Sequence, residues 1–420
     1  MHFKISILAG GASLLSILAV STAPAFADDG LTQALAASKW LVDSNLRSED
    51  VRQAGLSHEA QAITWRNRIA LQTGDFHHFS ALVEGENVYA LQSNYNSSVN
   101  GKTQYPGVND PAVTELHRAE VMWTPNQATA LDVGRQRIVI DDARFIGNSG
   151  WRQDDQVFDG VRFDTATGPF KLITAYLTRI DRTIGDYKDW HSNSYIINAS
   201  YQVVPLLKVT GFDYALKFTA AATDPVAADL ANARASSVDI DGGRAAGTQT
   251  YADGTIGYVV QVARETNAEG NPHRFHLQET MSEINGSYKW LSGRINYESL
   301  GGNGVVGFVS PLASNHSFDG YADAFSATGG NKTFVQGIDD LNYTLTGTAP
   351  IPDTPALSLI YHDFSTARLD ERLGREWDIV ATAALTSHLS LMLKSADYHS
   401  ENTAGPVSRT KGWVMLTYKR

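Results

Sequence analysis

The sequence has no cysteine among its 420 residues. Disulfides, thiolate metal sites and thiol nucleophiles are thereby excluded. Beyond the N-terminal segment there is no run of the roughly 20 apolar residues that a membrane helix needs. Polybasic stretches are missing, and a net charge of −11 opposes nucleic-acid binding. No Pro/Ser-rich linker or block of charge separates domains. Gly, Tyr, Thr, Asn and Ser are instead spread evenly, with turn signals throughout. That uniformity favours one repetitive β structure over the two or three soluble domains the length would otherwise suggest.

The N-terminus reads as a bacterial secretory signal. Lys4 supplies a basic start, Ile5 to Val20 an apolar and small-residue core, and Ala25-Phe26-Ala27 a small-x-small cleavage site. Residues 1–27 are expected to be removed, leaving residues 28–420 as a single domain. An exported chain of this size without disulfides needs another source of robustness, and a closed sheet is one.

What is present is alternation. Ile63, Trp65, Ile69 and Leu71 are apolar, with Asn67 as the exception, whereas Thr64, Arg66, Arg68, Ala70 and Gln72 are small, polar or cationic. Successive strand residues point to opposite faces, so Ala62 to Gln72 has one oily and one wet face. Similar sorting holds in Ser192 to Val203, with Ile196 as the exception, in Trp290 to Ser299, and in Arg375 to Leu385, with Val380 as the exception. Val113 to Trp123 and Leu207 to Phe218 do not sort, and no faces are assigned to them.

The chain divides into about 18 such segments, from Lys39 to Gln53 through Arg409 to Tyr418. The opening stretch can be read as a short helix on Leu31, Leu35 and Leu41, but a short lead into the strand at Lys39 is preferred. Arg234 to Gly247 is expected as a strand, and Gly286-Ser287 as a turn. Connections alternate between short and long. Short periplasmic turns and long outer loops mark a transmembrane antiparallel β-barrel. The fold class is therefore all-β, a barrel of about 18 strands with long extracellular loops. Trp65, Trp123, Tyr201, Tyr258, Trp377, Trp413 and Tyr418 suit aromatic girdles.

Several stretches resemble the alginate export family of outer-membrane porins. They are Ala62 to Arg68 with Leu71-Gln72-Thr73-Gly74; Gly134-Arg135-Gln136, Ala143 to Gly147, Trp151-Arg152-Gln153 and Phe158 to Arg162; Tyr297 to Gly302, Ser310 to Ala313 and Phe318 to Asp323 with Phe325; and Tyr361 to Phe364 with Glu376-Trp377-Asp378. Their order spans nearly the whole mature chain. The resemblance implies an 18-stranded barrel with a polar lumen that passes a polymer or small solute without energy input. The family's prototype has a strongly basic channel. Here the expected lumen faces mix signs.

The residues expected to line the solute path are Arg66, Arg68, Glu84, Glu86, Arg135, Arg137, Arg144, Arg162, Arg294, Glu298, Glu376 and Asp378. Inward arginines have two readings. They focus a field that guides anions, or they pair with inward carboxylates and stiffen the wall. Arg135, Arg137, Arg144 and Arg162 border the Asp141 to Val157 connection, which is expected to fold inward. The aromatics Phe308, Phe318, Tyr321 and Phe325 suggest that Leu300 to Gly337 packs into the mouth as a gate, or on neighbouring loops.

Metal and cofactor are not expected. His77-His78, as adjacent strand residues, would diverge. Asp239-Ile240-Asp241-Gly242-Gly243 has calcium-like spacing without the rest of a binding loop. Tyr361-His362-Asp363 likewise places neighbours on opposed faces. No Gly-x-Ser-x-Gly elbow is present. The preferred reading is a non-enzymatic outer-membrane channel for a carbohydrate, polysaccharide or other anionic solute. A barrel-embedded hydrolase and a plugged structural or adhesive barrel are the alternatives. Lipid and the translocated solute are the expected partners of a monomer, and a periplasmic scaffold protein stays open.

Overall fold

The structure, a computed structural model, describes residues 29–185, 189–220, 227–325, 334–348, 355–403 and 405–420. The signal-peptide reading and most of the expected Pro350 to Pro355 turn lie outside these residues.

Eighteen antiparallel strands form one closed sheet. In chain order they are β1 Lys39–Gln53, β2 Ala60–Gln72, β3 Phe79–Asn94, β4 Val113–Asn126, β5 Thr129–Gln136, β6 Val157–Thr167, β7 Phe170–Asp181, β8 Trp190–Val204, β9 Leu207–Leu216, β10 Val238–Tyr251, β11 Gly254–Asn267, β12 His276–Tyr288, β13 Leu291–Leu300, β14 Ile338–Thr348, β15 Ala356–Ser365, β16 Arg372–Ala384, β17 Leu389–Ser400 and β18 Arg409–Lys419. After Lys217, Phe218–Ala220 continues β9 along β8. Each strand pairs with its sequence neighbours, and β1 closes the sheet on β18 from Asp43↔Lys419 to Gln53↔Arg409. Closure leaves no strand edge unpaired, as a lipid environment demands.

One rim carries tight turns, such as 168–169 and 252–253, and the other carries the long connections 95–112, 137–156 and 301–337. In β2 the alternation is realised as read. Trp65 and Ile69 are exposed on the outer wall, and Thr64, Arg66, Arg68 and Ala70 are buried inside.

Local departures have physical causes. The lead is helical, as α1 Asp29–Ala36, and packs at the tight-turn rim, where Gly74 donates to the Ala34 carbonyl. Arg234 belongs to a second helix, α2 Ala227–Ala235, so β10 starts only at Val238. Gly286 and Ser287 lie inside β12, opposite Gly293 and Ser292, and the turn falls at 289–290. Glycine and serine here fill a strand rather than break it. The faces of β4 are masked by a register shift at Glu84/Gly85. Those of β9 are masked because its inner face, Phe212, Tyr214 and Leu216, is as apolar as its outer one. Trp413 is buried inside the barrel, not on a girdle. His77 and His78 sit with positive φ in the turn before β3, not in a strand.

The apolar inner face of β9 belongs to a core within the barrel. Phe145 from the 137–156 loop packs on Phe212, Tyr214 and Phe308, with ring centroids 5.4–6.2 Å apart. Ile138, Ile140, Ile146 and Leu312 join that cluster with residues of β6 to β13. A second cluster joins Ala322 and Phe325 to Phe364, Tyr398 and Trp413 on β15, β17 and β18. Burying each large side chain contributes about 1.5–3 kcal/mol, so these loops are anchored by packing as well as by polar bonds.

Candidate functional site

The site is the lumen and the two loops, 137–156 and 301–337, that enter it from opposite walls. They meet in a short parallel bridge, Ile146↔Leu312. Gly147 donates to the Leu312 carbonyl over 2.7 Å, and Ser314 to the Ala143 carbonyl over 3.0 Å. The Ser149 hydroxyl donates to the Ala313 carbonyl over 3.1 Å. The 137–156 connection folds inward as expected, and the 301–337 connection, read either as packing into the mouth or on neighbouring loops, meets it there.

Each loop is tied to the wall it reaches. The 137–156 loop crosses to β1 and β2. Arg47 donates to the Trp151 carbonyl and stacks over its ring, 4.6 Å from the centroid. Gln153 Nε2 donates to the Thr64 hydroxyl over 2.9 Å. The 301–337 loop crosses to β16 and β18. Ala322 N–H donates to Glu376 over 2.7 Å, and Lys411 Nζ to Asp323 Oδ2 over 2.6 Å.

The inward charges form ion pairs. Arg68 pairs with Glu86 and, over 2.5 Å, with Asp155 of the loop. Arg137 joins Glu84 and the same Asp155 at 3.0 and 2.7 Å. Arg66 pairs with Asp43 over 2.5 Å. Arg144 lies between Glu298 at 2.6 Å and Asp319 at 3.4 Å. Arg135 holds Asp159 and Asp181, and Arg162 holds Asp164. Asp378 and Glu376 are fully buried, and Asp378 lies 3.6 Å from His362. Of the twelve expected path residues, Arg66, Arg68, Glu84, Glu86, Arg144, Glu298, Glu376 and Asp378 are buried. Arg135, Arg137, Arg162 and Arg294 keep part of their side chains open, Arg294 most of all.

The loop groups carry strong field effects. Burial opposes ionisation of Asp155, but Arg68, His117 and Arg137 hold its carboxyl well below the usual range. Asp323 is held low, against burial, by the hydrogen bond from His316 and by the Lys411 ammonium. Burial pushes the His316 imidazole down to about 3, against the pull of Asp323. Burial also lowers the tendency of Arg144 to stay protonated, but Glu298 and Asp319 more than compensate. A desolvated ion pair is stable only when all of its partners stay in place.

Several contributors escaped the sequence reading. Arg47 and Glu49 share the inner face of β1 with Asn45, an alternation visible in the sequence. Lys394 and Lys411 lie on apolar strands, and only the loop that meets them explains them. Asp154 and Asp155 sit in a loop with no periodicity to read.

Between the two loops lies a cavity of about 350 Å³. Trp151, Arg152, Arg182, Asn148, Ser314 and His316 are among its lining residues. It offers guanidinium groups, hydroxyls and amides. Two other hollows, at Ile295 and Leu345 on the outer wall, are apolar and face lipid.

The Asp239–Gly243, Tyr361–Asp363 and serine–histidine motifs take the following places in the fold. Asp239 and Asp241 lie in β10, and Asp241 pairs with Arg264 over 2.7 Å. His362 faces Asp340 at 2.9 Å, whereas its neighbour Asp363 pairs with Arg372. The serine–histidine hydrogen bond at Ser57 and His58 joins chain neighbours in an exposed loop.

The sequence matches the family model described as Alginate export over residues 43–290. No curated protein matches it. The fold is similar to that of OccAB4 of Acinetobacter baumannii, with TM-score 0.68 and 11% identity, covering 91% of this chain and 98% of that one. OpdO of Pseudomonas aeruginosa gives TM-score 0.69 and 12% identity, covering 93% and 98%. OpdK of the same organism, crystallised with vanillate, gives TM-score 0.66 and 11% identity, covering 91% and 98%.

Proposed function

The chain belongs to the alginate export family and is an outer-membrane β-barrel channel, and on that premise we propose that it passes small carbohydrates and organic anions by diffusion. The observation that carries this reading is the cavity between the inward loops, where Arg152 and Arg182 stand beside hydroxyls, amides and the Trp151 ring. Guanidinium groups recognise carboxylates by charge and fork geometry, and hydroxyls and amides hydrogen-bond the hydroxyls of a sugar. The vanillate of the OpdK structure is an organic carboxylate, which fits this solute class.

Paired lumen charges argue against a polyanion conduit. Arg66, Arg68, Arg135, Arg137, Arg144 and Arg162 all have carboxylate partners. Their net field is that of a mixed-sign wall, not of a cationic ladder. Selectivity then rests on pore radius and on the groups at the constriction. The role requires no catalytic step. We propose that the barrel acts as a monomer.

Planar-bilayer recordings on the refolded barrel test this. Open steps with anion preference, blocked more strongly by sugar acids than by neutral sugars, are expected. Arg152→Ala with Arg182→Ala should weaken that block. A silent bilayer from a well-folded barrel would sink the open-channel reading.

A further inference from the structure

Glu86 and Glu115 are directly opposed across β3 and β4, both facing the lumen. Like charges in that position repel. Asp154 of the 137–156 loop comes down onto the same spot. Glu86, Glu115, His117 and Asp154 place one donor atom each within 4.8 Å of one another. Asp154 is fully buried and Glu86 nearly so.

The hydrogen bonding of the three carboxyls follows one pattern. Glu86 Oε2 accepts from Arg68, Glu115 Oε1 lies 3.2 Å from His117 Nδ1, and Asp154 Oδ2 accepts from Gly185 N–H over 2.8 Å. In each case the second oxygen, Glu86 Oε1, Glu115 Oε2 or Asp154 Oδ1, is buried with no hydrogen-bond partner among the described residues. A buried, unpartnered carboxylate oxygen is costly, and three together need a shared explanation.

The local charges do not balance either. Glu84, Glu86, Glu115, Asp154 and Asp155 face Arg68, Arg137 and His117. Five carboxylates thus meet three cations, even with His117 protonated. Arg66 is matched by Asp43. Arg135 and Arg179 are outnumbered by Asp159, Asp181 and Asp189. The deficit is two charges, that of one divalent cation.

We propose that Glu86, Glu115 and Asp154 bind a calcium-class divalent cation that fastens the 137–156 loop to β3 and β4. Calcium–oxygen distances of about 2.3–2.6 Å allow ligands up to about 5 Å apart, which the carboxyl cluster satisfies. His117 is not assigned as a ligand. Its Nε2 lies 2.6 Å from Asp155 and its Nδ1 faces Glu115, so both ring nitrogens are engaged. It positions Glu115 instead. An oxygen-only donor set selects hard cations over zinc or copper.

The test is calorimetric titration of CaCl₂ into the full mature barrel, refolded in detergent with and without chelator. Wild type should take up one ion per chain. Glu115→Gln and Asp154→Asn should each weaken uptake by roughly tenfold or more, and Asp241→Asn, at the exposed pair with Arg264, should not. Heat-dependent gel mobility shows that each variant is folded. Should one variant fail to fold, the other still decides. A folded wild-type barrel that takes up no more calcium than the variants overturns the proposal. So does preferential uptake of Zn²⁺ that Asp154→Asn leaves intact and His117→Ala abolishes.

Discussion

The Lys394 ammonium lies 2.7 Å from His316 Nε2, and His316 Nδ1 lies 2.8 Å from Asp323. A wall lysine on β17 is thus held by an imidazole of the 301–337 loop. Lysine can only donate, so Nε2 must accept and Nδ1–H must donate to Asp323. His316 is therefore neutral in the folded barrel. Trp151 of the other loop stacks on the imidazole at 4.4 Å between centroids and lies 3.4 Å from the ammonium. The three elements share one joint.

The joint should be acid-sensitive. His316 is depressed to about 3 from 6.5, so between these values the unfolded chain binds a proton that the folded one does not. Stability then falls as pH drops through that window, by about 1 kcal/mol per pH unit. Denaturant midpoints of refolded barrel measured from pH 7 to pH 4 should show this slope. His316→Gln should flatten it, and an unchanged slope would show that the imidazole is not the titrating group.

Arg68 joins strand, loop and cation balance in a single side chain. Replacing it with Met leaves Glu86 and Asp155 buried with less counter-charge, at a cost of about 3–5 kcal/mol. Unfolding in guanidinium should register that loss. A neutral result would mean that the pair contributes nothing beyond its own desolvation.

Leu312 is fully buried where the two loops bridge. Leu312→Ala should cost about 2–5 kcal/mol for the lost contacts and cavity. Since the side chain packs loop on loop, the barrel wall should survive. Single-channel records should show more frequent transitions or larger steps, with gel mobility of the folded form retained. Conductance identical to wild type would argue that the bridge does not limit flow.

Gly320 has φ +82°, and a Cβ there would lie 2.5 Å from the Glu376 carboxylate. Both strain and collision oppose a side chain at this point. Gly320→Val should lift the loop tip off β16 and break the Ala322–Glu376 hydrogen bond. Limited proteolysis of folded barrel should then cut within 301–337 faster than in wild type. Equal cleavage rates would place the anchor elsewhere.

How much was legible before the structure varies by element. β2 was readable because its two solvents differ, with lipid outside and paired arginines inside. β1 opens at Lys39 and β18 closes at Lys419 close to where alternation placed them. β9 was not readable, because the loop core makes its lumen side apolar too. Trp413 looked like a girdle residue for the same reason. It is a large aromatic on a strand, but its face is set by Trp151 and His316 at 5.6 and 5.7 Å. Arg66, Arg68, Glu376 and Asp378 are buried on the inner side of the wall, and nothing in their spacing told that loop residues would bury them.

Period-two alternation and the rhythm of short and long connections are local properties, so the sequence alone determined the barrel, its approximate strand number and the inward face of strands such as β2. Pairing partners from β1, the 137–156 loop and the 301–337 loop lie from dozens to more than a hundred residues apart in the chain. No local pattern encodes such distances. Only the tertiary structure decided that Arg144 meets Glu298, that Lys394 meets His316, and that Asp154 descends onto Glu86 and Glu115.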